Sequence, residues 1–276
     1  MSLLDKDIEF LVATVRDAAA TEILPRFRNP DSQSVAEKTS AIDLVTEADI
    51  ETEKRITAAI RRLYPDAHIV GEETYDADPS VVPALAHAEL GFVIDPVDGT
   101  FNFASGLAAF GSLLAVTVKG ETVAGIIHDP VMGDTLVAVR GAGAHFHRRS
   151  GEVTPIRVAA PVALEDMVGI YAWGHSTLER RPVIAANMAK LRMALALNCS
   201  AHEYWLASTG KVHFIGHEKL MPWDHLAGVL VHQEAGGYTV KLDGTPYRPG
   251  EISGGILSAP DKESWKMIRR EILGIW

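Results

Sequence analysis

The stretch IDPVDGT, residues 94–100, sets Asp95 and Asp98 around a proline and closes on glycine and threonine. Asp, Pro and Gly are ordinary turn residues, so the plain reading is a polar turn that stops a buried strand. The sharper reading is a site that holds something charged. Pro96 fixes φ between the two acids, which allows their carboxylates to converge on one point. Converging carboxylates repel one another, and a divalent cation removes that penalty. Oxygen donors, with no Cys or His pair at zinc spacing in these segments, favour Mg²⁺ over Zn²⁺. The Val97 carbonyl could join them. If Gly99-Thr100 opens a helix, its first N–H groups form an anion site.

Two further acidic groups share this context. Glu72 and Glu73 follow HIVG (68–71), and Asp224 follows MPW (221–223) at the start of a helical pattern. Loops at the ends of strands and helices are where a scaffold displays its chemistry.

Working outward, Leu4, Ile8, Leu11, Val12 and Val15 predict an amphipathic helix over 4–24. Residues 26–42 read as polar and irregular. A second helix starts at Thr46, with Asp49 placed as in a capping box, and ends at Tyr64-Pro65. HIV (68–70) and GFVI (91–94) read as short strands. SLLAVTV and TVAGIIH flank Lys119-Gly120-Glu121 as a hairpin, and TLVAV (135–139) continues an antiparallel sheet. After Pro161 strands and helices alternate: MVGIYA, a helix near 177–193, another from Ser200, and another from Asp224 to Gln233 stopped by Gly236-Gly237. GILSA and a helix over 264–274 end the pattern. The expectation is an α+β lobe over 1–155 carrying most of the acids and an α/β lobe over 156–276 carrying Asp224, in one compact unit.

The bulk composition narrows the function. Of the 276 residues 47% are hydrophobic and 22% charged, which fits a globular chain and not a disordered one. No apolar run approaches the roughly 18–20 residues that span a bilayer. MSLLDKDIEF carries acids where a signal peptide carries bases, and the single cysteine fits a reducing compartment. A cytoplasmic protein is expected. The net charge of −10 excludes general binding to nucleic acid or anionic membranes. An anionic substrate is still compatible, because a bound cation reverses the local field.

GEE (71–73), FVIDPVDGTFNF (92–103), PWDHLAG (222–228) and EAGG (234–237) resemble the inositol monophosphatase family of Mg²⁺-dependent, lithium-sensitive phosphatases. DLVTEAD (43–49) and GIIHDPVMGDTLVAVRGAGA (125–144) extend the resemblance over most of the chain, in the family's order and approximate spacing. It implies a five-layer α/β/α/β/α sandwich of the inositol monophosphatase/fructose-1,6-bisphosphatase type, commonly a homodimer. It implies hydrolysis of a small phosphate monoester by in-line attack of water, with two to three Mg²⁺ ions and inhibition by Li⁺. By position, Glu72, Asp95 and the Val97 carbonyl correspond to ligands of one Mg²⁺. Asp95, Asp98 and Asp224 correspond to ligands of a second. Glu72 and Thr100 would position the water, Asp49 would hold the Thr100 hydroxyl, and Gly99 and Thr100 would bind phosphate. Lys38 matches the family's loop lysine.

The substrate end departs from the pattern. Where the family reads Gly-Ser/Thr-Ala-Ala, this chain has Cys199-Ser200-Ala201-His202. The position seven before Asp224, a substrate-binding glutamate in inositol-specific members, is His217, with Glu218 beside it. Ser200, Ala201 and His217, with Asp98 and Asp224, are the candidate substrate contacts. Inositol 1-phosphate or a related polyol or sugar phosphate is the leading substrate. The alternatives are histidinol phosphate, fructose 1,6-bisphosphate, a 3′-phosphoadenosine phosphate, or a binding role on the transcription machinery. Three other features have plainer readings: His145-x-His147 as hairpin surface, Cys199 as a small packed residue, and Gly141-x-Gly143 as a tight strand connection.

Overall fold

The computed structural model describes residues 5–29, 35–40 and 43–275, with side chains outside 35–45. Helix α1 spans Asp5–Ala18 and runs into a five-residue π-helical turn, Ala19–Ile23. The segment expected to be irregular contains a hairpin of β1 (Val35–Ser40) and β2 (Asp43–Thr46). VAEKTS lacks the apolar alternation that marks a strand in a sequence. Helix α2 (Glu47–Leu63) begins at the capping residue Thr46, whose N–H and hydroxyl donate to Asp49 Oδ2 at 2.8 and 2.6 Å.

Strand β3 (His68–Gly71) leads into two short helices, α3 (Glu72–Ala77) and α4 (Val81–Leu85). Strand β4 (Gly91–Asp98) is followed by α5 (Thr100–Ala104) and then β5 (Gly111–Val118) and β6 (Glu121–Asp129). Lys119 and Gly120 between them have φ of 51° and 74°, the left-handed pair that a two-residue hairpin turn requires. Strands β7 (Asp134–Val139), β8 (Gly143–His147) and β9 (Val153–Pro155) complete a seven-stranded sheet in sequence order, β3 to β9. Its first pair is parallel and the rest are antiparallel.

The later elements are β10 (Val168–Tyr171), α6 (Arg180–Met188), β11 (Met193–Leu195), α7 (Ser200–Ser208), β12 (Phe214–His217), α8 (Pro222–Glu234), β13 (Tyr238–Lys241), β14 (Ile256–Ala259) and α9 (Lys262–Glu271). The five strands form a second sheet in the order β11-β10-β12-β14-β13. The helix expected over 177–193 is shorter, because the chain straightens at Met193 to pair with β10. The helix expected from Asp224 starts two residues earlier, with Pro222 in its first turn, where a missing N–H costs no hydrogen bond.

Strict alternation along the strands makes the layers. Phe92, Ile94, Leu114 and Ile126 face α1 and α2, packing on Leu11, Val15, Ile56 and Ile60. Val93, Leu113 and Leu136 face the other way, onto Tyr204 and Ala207 of α7 and Leu226 and Leu230 of α8. The same core reaches Ile170, Ile215 and Ile256 of the second sheet. The far face of that sheet, with Tyr171, Phe214 and Leu257, packs on Ile184 of α6 and Trp265 and Ile268 of α9. The order is helix pair, sheet, helix pair, sheet, helix pair. The expected five-layer sandwich is the fold observed.

Candidate active site

IDPVDGT is a strand end with an irregularity, and the expected turn at Asp95 is absent. Asp95 pairs with Leu113, yet Asp98 pairs with Gly111, so β4 carries one residue more than β5 over this step. Three steps along a regular strand would send the two acids to opposite faces. The extra residue removes one alternation, as a β-bulge does, and brings both carboxylates to one side. The bulge is tied down by Ser112 Oγ, which donates to Pro96 O at 2.7 Å. Gly99 then turns the chain with φ +86° into α5; a Cβ there would lie 2.9 Å from Ala109 O. Only glycine meets both demands. The Thr100 hydroxyl lies 3.0 Å from Val97 O and 3.3 Å from Asp49 Oδ1. Asp49 therefore caps α2 with one oxygen and faces Thr100 with the other.

Two helix starts bring in the remaining acids. At the start of α3, the buried Glu53 carboxylate accepts from the N–H groups of Glu73 and Thr74, both at 3.0 Å, and from Thr74 Oγ1 at 2.6 Å. Burial raises the Glu53 carboxyl above the usual range, partly offset by these donors. A Cβ at Gly71 would meet the Glu53 carboxyl carbon at 2.3 Å, so any larger residue there would displace that carboxylate. Glu53 thus fixes the backbone on which Glu72 stands. Tyr75 of α3 packs on Trp223 of α8 with ring centroids 5.2 Å apart. That contact joins the first turn of α3, with Glu72, to the first turn of α8, with Asp224.

Asp95 records the convergence. It is 2% exposed, and its Oδ1 has no hydrogen-bond partner among the described residues. Burial is the main cause that raises its carboxyl well above the usual range, followed by the charges of Asp98, Glu72, Asp224 and Asp49. Asp98 is raised by burial and by Asp224, against donors that favour its charge. Those donors are the Ala201 N–H, the Ser200 N–H and the Cys199 thiol, the last 3.1 Å from Asp98 Oδ2. Burial and Asp98 hold the thiol protonated, so Cys199 is a packed donor, as its plain reading expected, and not a nucleophile.

Among the described residues, no three Asp, Glu, His or Cys side chains form a group that could hold a metal ion as the chain stands. The donor set nevertheless fits a hard divalent cation: an orphaned buried carboxylate oxygen, with four other acids raising the same group electrostatically. The residues that could hold it are Glu72, Asp95, Asp98 and Asp224, with the Val97 carbonyl.

The substrate-side residues are more enclosed than a binding wall would suggest. Ala201 is 1% exposed and Ser200 9%, and their N–H groups face Asp98. His217, at the end of β12, stacks on Tyr204 with centroids 6.1 Å apart and lies 3.4 Å from Glu203 Oε2. Burial and the nearby His225 and His175 lower its pKa, so it is neutral. Glu218 does not stand in for an acid at position 217, because its Oε1 is taken by Tyr171 OH at 2.9 Å and Arg180 at 2.8 Å. Lys38 lies in β1, with its side chain outside the described residues. His145 and His147 are half-buried on β8. Gly141 and Gly143 connect β7 to β8, their N–H groups each 2.9 Å from the Glu234 carboxylate.

Sequence reasoning missed Glu53 and Glu203. Glu53 sits on the apolar side of α2, and Glu203 stands directly before the uncharged run YWLA (204–207) of α7. A charged residue on a buried helix face was the available signal.

A bulged strand that gathers acids, two sheets and three helix layers define a fold of the inositol monophosphatase/fructose-1,6-bisphosphatase type. Residues 3–272 match the model of the inositol monophosphatase family. A Thermotoga maritima protein named fructose-1,6-bisphosphatase/inositol-1-monophosphatase is 33% identical over 211 residues, 76% of each chain. Nus factor SuhB of Haemophilus influenzae is 28% identical over 236 residues, 83% of this chain and 82% of that one. The solved structure of an inositol monophosphatase from Zymomonas mobilis superposes with a TM-score of 0.79 at 26% identity, covering 99% of both chains. The chain belongs to the inositol monophosphatase family and is an enzyme of that phosphatase type. Among the described residues, no helix is long and apolar enough to cross a membrane.

Proposed function

We propose that the chain hydrolyses a small phosphate monoester in a Mg²⁺-dependent reaction, with inositol 1-phosphate or a related polyol or sugar phosphate as substrate. The observation that carries this reading is Asp95: a buried carboxylate with an orphaned oxygen, raised by four other acids. Glu72, Asp95, Asp98, Asp224 and the Val97 carbonyl would hold Mg²⁺. Bound there, Mg²⁺ supplies a Lewis acid that neutralises phosphoryl charge and eases deprotonation of water.

The chain's own groups do the positioning. The N–H groups at the start of α5, from Gly99 and Thr100, would donate to phosphate oxygens. The Thr100 hydroxyl, held by Val97 O and Asp49, and the Glu72 carboxylate orient the attacking water in line with the leaving oxygen. Glu72 accepts the proton that the water loses, and the departing alkoxide takes up a proton from solvent to leave as the alcohol. The substrate would lie on the side of the site that the buried residues Ser200, Ala201 and His217 close off, and Lys38, in β1, is the loop lysine that the resemblance implies. We also propose Li⁺ inhibition, a homodimer, a cytoplasmic location, and lobes over 1–155 and 156–276 that act as one unit. The core shared by α7, α8 and both sheets supports that last point.

Phosphate release from a substrate panel tests the reading. With Mg²⁺, a polyol monophosphate is expected to reach kcat/KM of about 10⁴ M⁻¹s⁻¹ or more, and EDTA to abolish turnover. A 100-fold preference for histidinol phosphate, fructose 1,6-bisphosphate or a 3′-phosphoadenosine phosphate would replace the proposed substrate. The relatives named Nus factor SuhB favour a second reading, a binding role on the transcription machinery. No turnover on any ester with Mg²⁺ bound would select it.

A further inference from the structure

The loop before α7 is built around a buried carboxylate that the chemistry above does not use. Glu203 is 3% exposed, in the first turn of α7. Its Oε1 accepts the Leu197 N–H at 3.3 Å, and the Asn198 and Cys199 N–H groups also bear on it. The loop closes on it from the other direction, with the Glu203 N–H donating to Cys199 O at 3.0 Å. Asn198 holds a left-handed φ of 51°, an arrangement that persists only where surroundings enforce it. A second clamp acts from α5: Asn102 Nδ2 donates to Leu197 O at 2.7 Å and to Ala109 O at 2.8 Å. The next residues in the chain are those that grip Asp98, the Cys199 thiol and the Ala201 N–H.

We infer that Glu203 is a positioning residue for the reaction: it moulds the 197–199 loop, and that loop fixes the orientation of the Asp98 carboxylate. The inference rests on the assignment of Asp98 to the metal site. Without the mould, three N–H groups lose their acceptor, the loop relaxes, and Asp98 is free to rotate away from Asp95 and Asp224. An uncharged amide oxygen can accept the same N–H groups, so the acceptor matters and the charge does not.

The test compares Glu203→Leu with Glu203→Gln, and adds Asn102→Ala to release the second clamp. Three quantities are read: amide exchange of 197–201 in the metal-free protein, Mg²⁺ binding by calorimetry without substrate, and kcat with KM. Glu203→Leu is expected to speed exchange of 197–201 by about 100-fold while the β4 and β5 amides stay protected. It should weaken Mg²⁺ binding and lower kcat by about 10–100-fold, the usual effect of losing a residue that orients a metal ligand, with KM within about threefold. Glu203→Gln should recover all three to within about fivefold of the parent. Asn102→Ala should repeat the Leu pattern at lower amplitude, and it decides the matter if Glu203→Leu does not fold. Unchanged exchange and Mg²⁺ binding in Glu203→Leu or Asn102→Ala would overturn the inference, as would a Gln variant as impaired as Leu. The phosphatase reading fails separately, through absent turnover in the parent protein.

Discussion

Asp98→Asn is expected to lower kcat by about 10³-fold, the scale of losing one preorganised electrostatic contact to a transferring phosphoryl group. The same change should leave thermal unfolding of the metal-free protein within a few degrees, or raise it. The substitution keeps the side chain's shape, and an amide oxygen still accepts from the Ala201 N–H. It also removes a charge that burial and Asp224 oppose, and that itself raises Asp95. A residue kept for stability would behave in the opposite way, with the melting point falling and turnover surviving. Circular dichroism melts beside a phosphate-release assay distinguish the two.

The second large effect is the pH dependence of Mg²⁺ stabilisation. The metal-free fold raises Asp95 well above the usual carboxylate range and Asp98 to about 7, mainly by burial and then by neighbouring acids. A carboxyl raised in the folded state binds more protons there than in the unfolded chain. Stability of the metal-free protein from these groups is therefore present at low pH and lost as pH rises, for Asp98 from about 4 through 7. For Asp98 alone this is on the order of 4 kcal/mol. Mg²⁺ relieves the repulsion, so it must displace more protons at pH 5 than at pH 8. The rise in melting temperature on adding Mg²⁺ should thus be about 10 °C larger at pH 8 than at pH 5. His128 and His232, lowered by burial to about 4 and about 3, destabilise both forms as pH falls and cancel in the difference. A Mg²⁺ increment that is flat or shrinks with pH would show that these acids do not share a cation.

The parts of this protein that were legible in the sequence are those decided locally. Thr46 and Asp49 cap α2 because the cap needs only residues three apart, and Lys119-Gly120 makes its turn from its own dihedrals. The acids of IDPVDGT were legible as a site, although the turn they seemed to mark is a bulge. A bulge is a property of a strand pair, and Gly111 of β5 had to be in place before it could be seen. VAEKTS forms a strand without any apolar alternation, since β2 supplies the pairing. Glu53 and Glu203 offered only a charged residue on a buried helix face, because what each one holds depends on the fold. Glu53 holds Glu73 and Thr74 some twenty residues on, and Glu203 holds the loop just before it, whose Cys199 meets Asp98 from 101 residues away in the chain.

The substrate end is where position alone said least. His217 is packed against Tyr204 and Glu203, and Glu218 is bound to Tyr171 and Arg180. The acid expected near the departing alcohol by resemblance is thus replaced by a buried pair from β12 and α7. Selectivity among polyol and sugar phosphates should reflect that replacement, and the substrate panel reads it directly.

The most direct test of the metal assignment is anomalous scattering from crystals soaked in Mn²⁺, a Mg²⁺ substitute with a usable signal. The account predicts a peak within coordination distance of the Asp95 and Asp98 carboxylates, shared with Glu72 or Asp224 and lost in Asp98→Asn. Mn²⁺ bound elsewhere, with the Asp95 carboxylate left unligated at saturating metal, would contradict it.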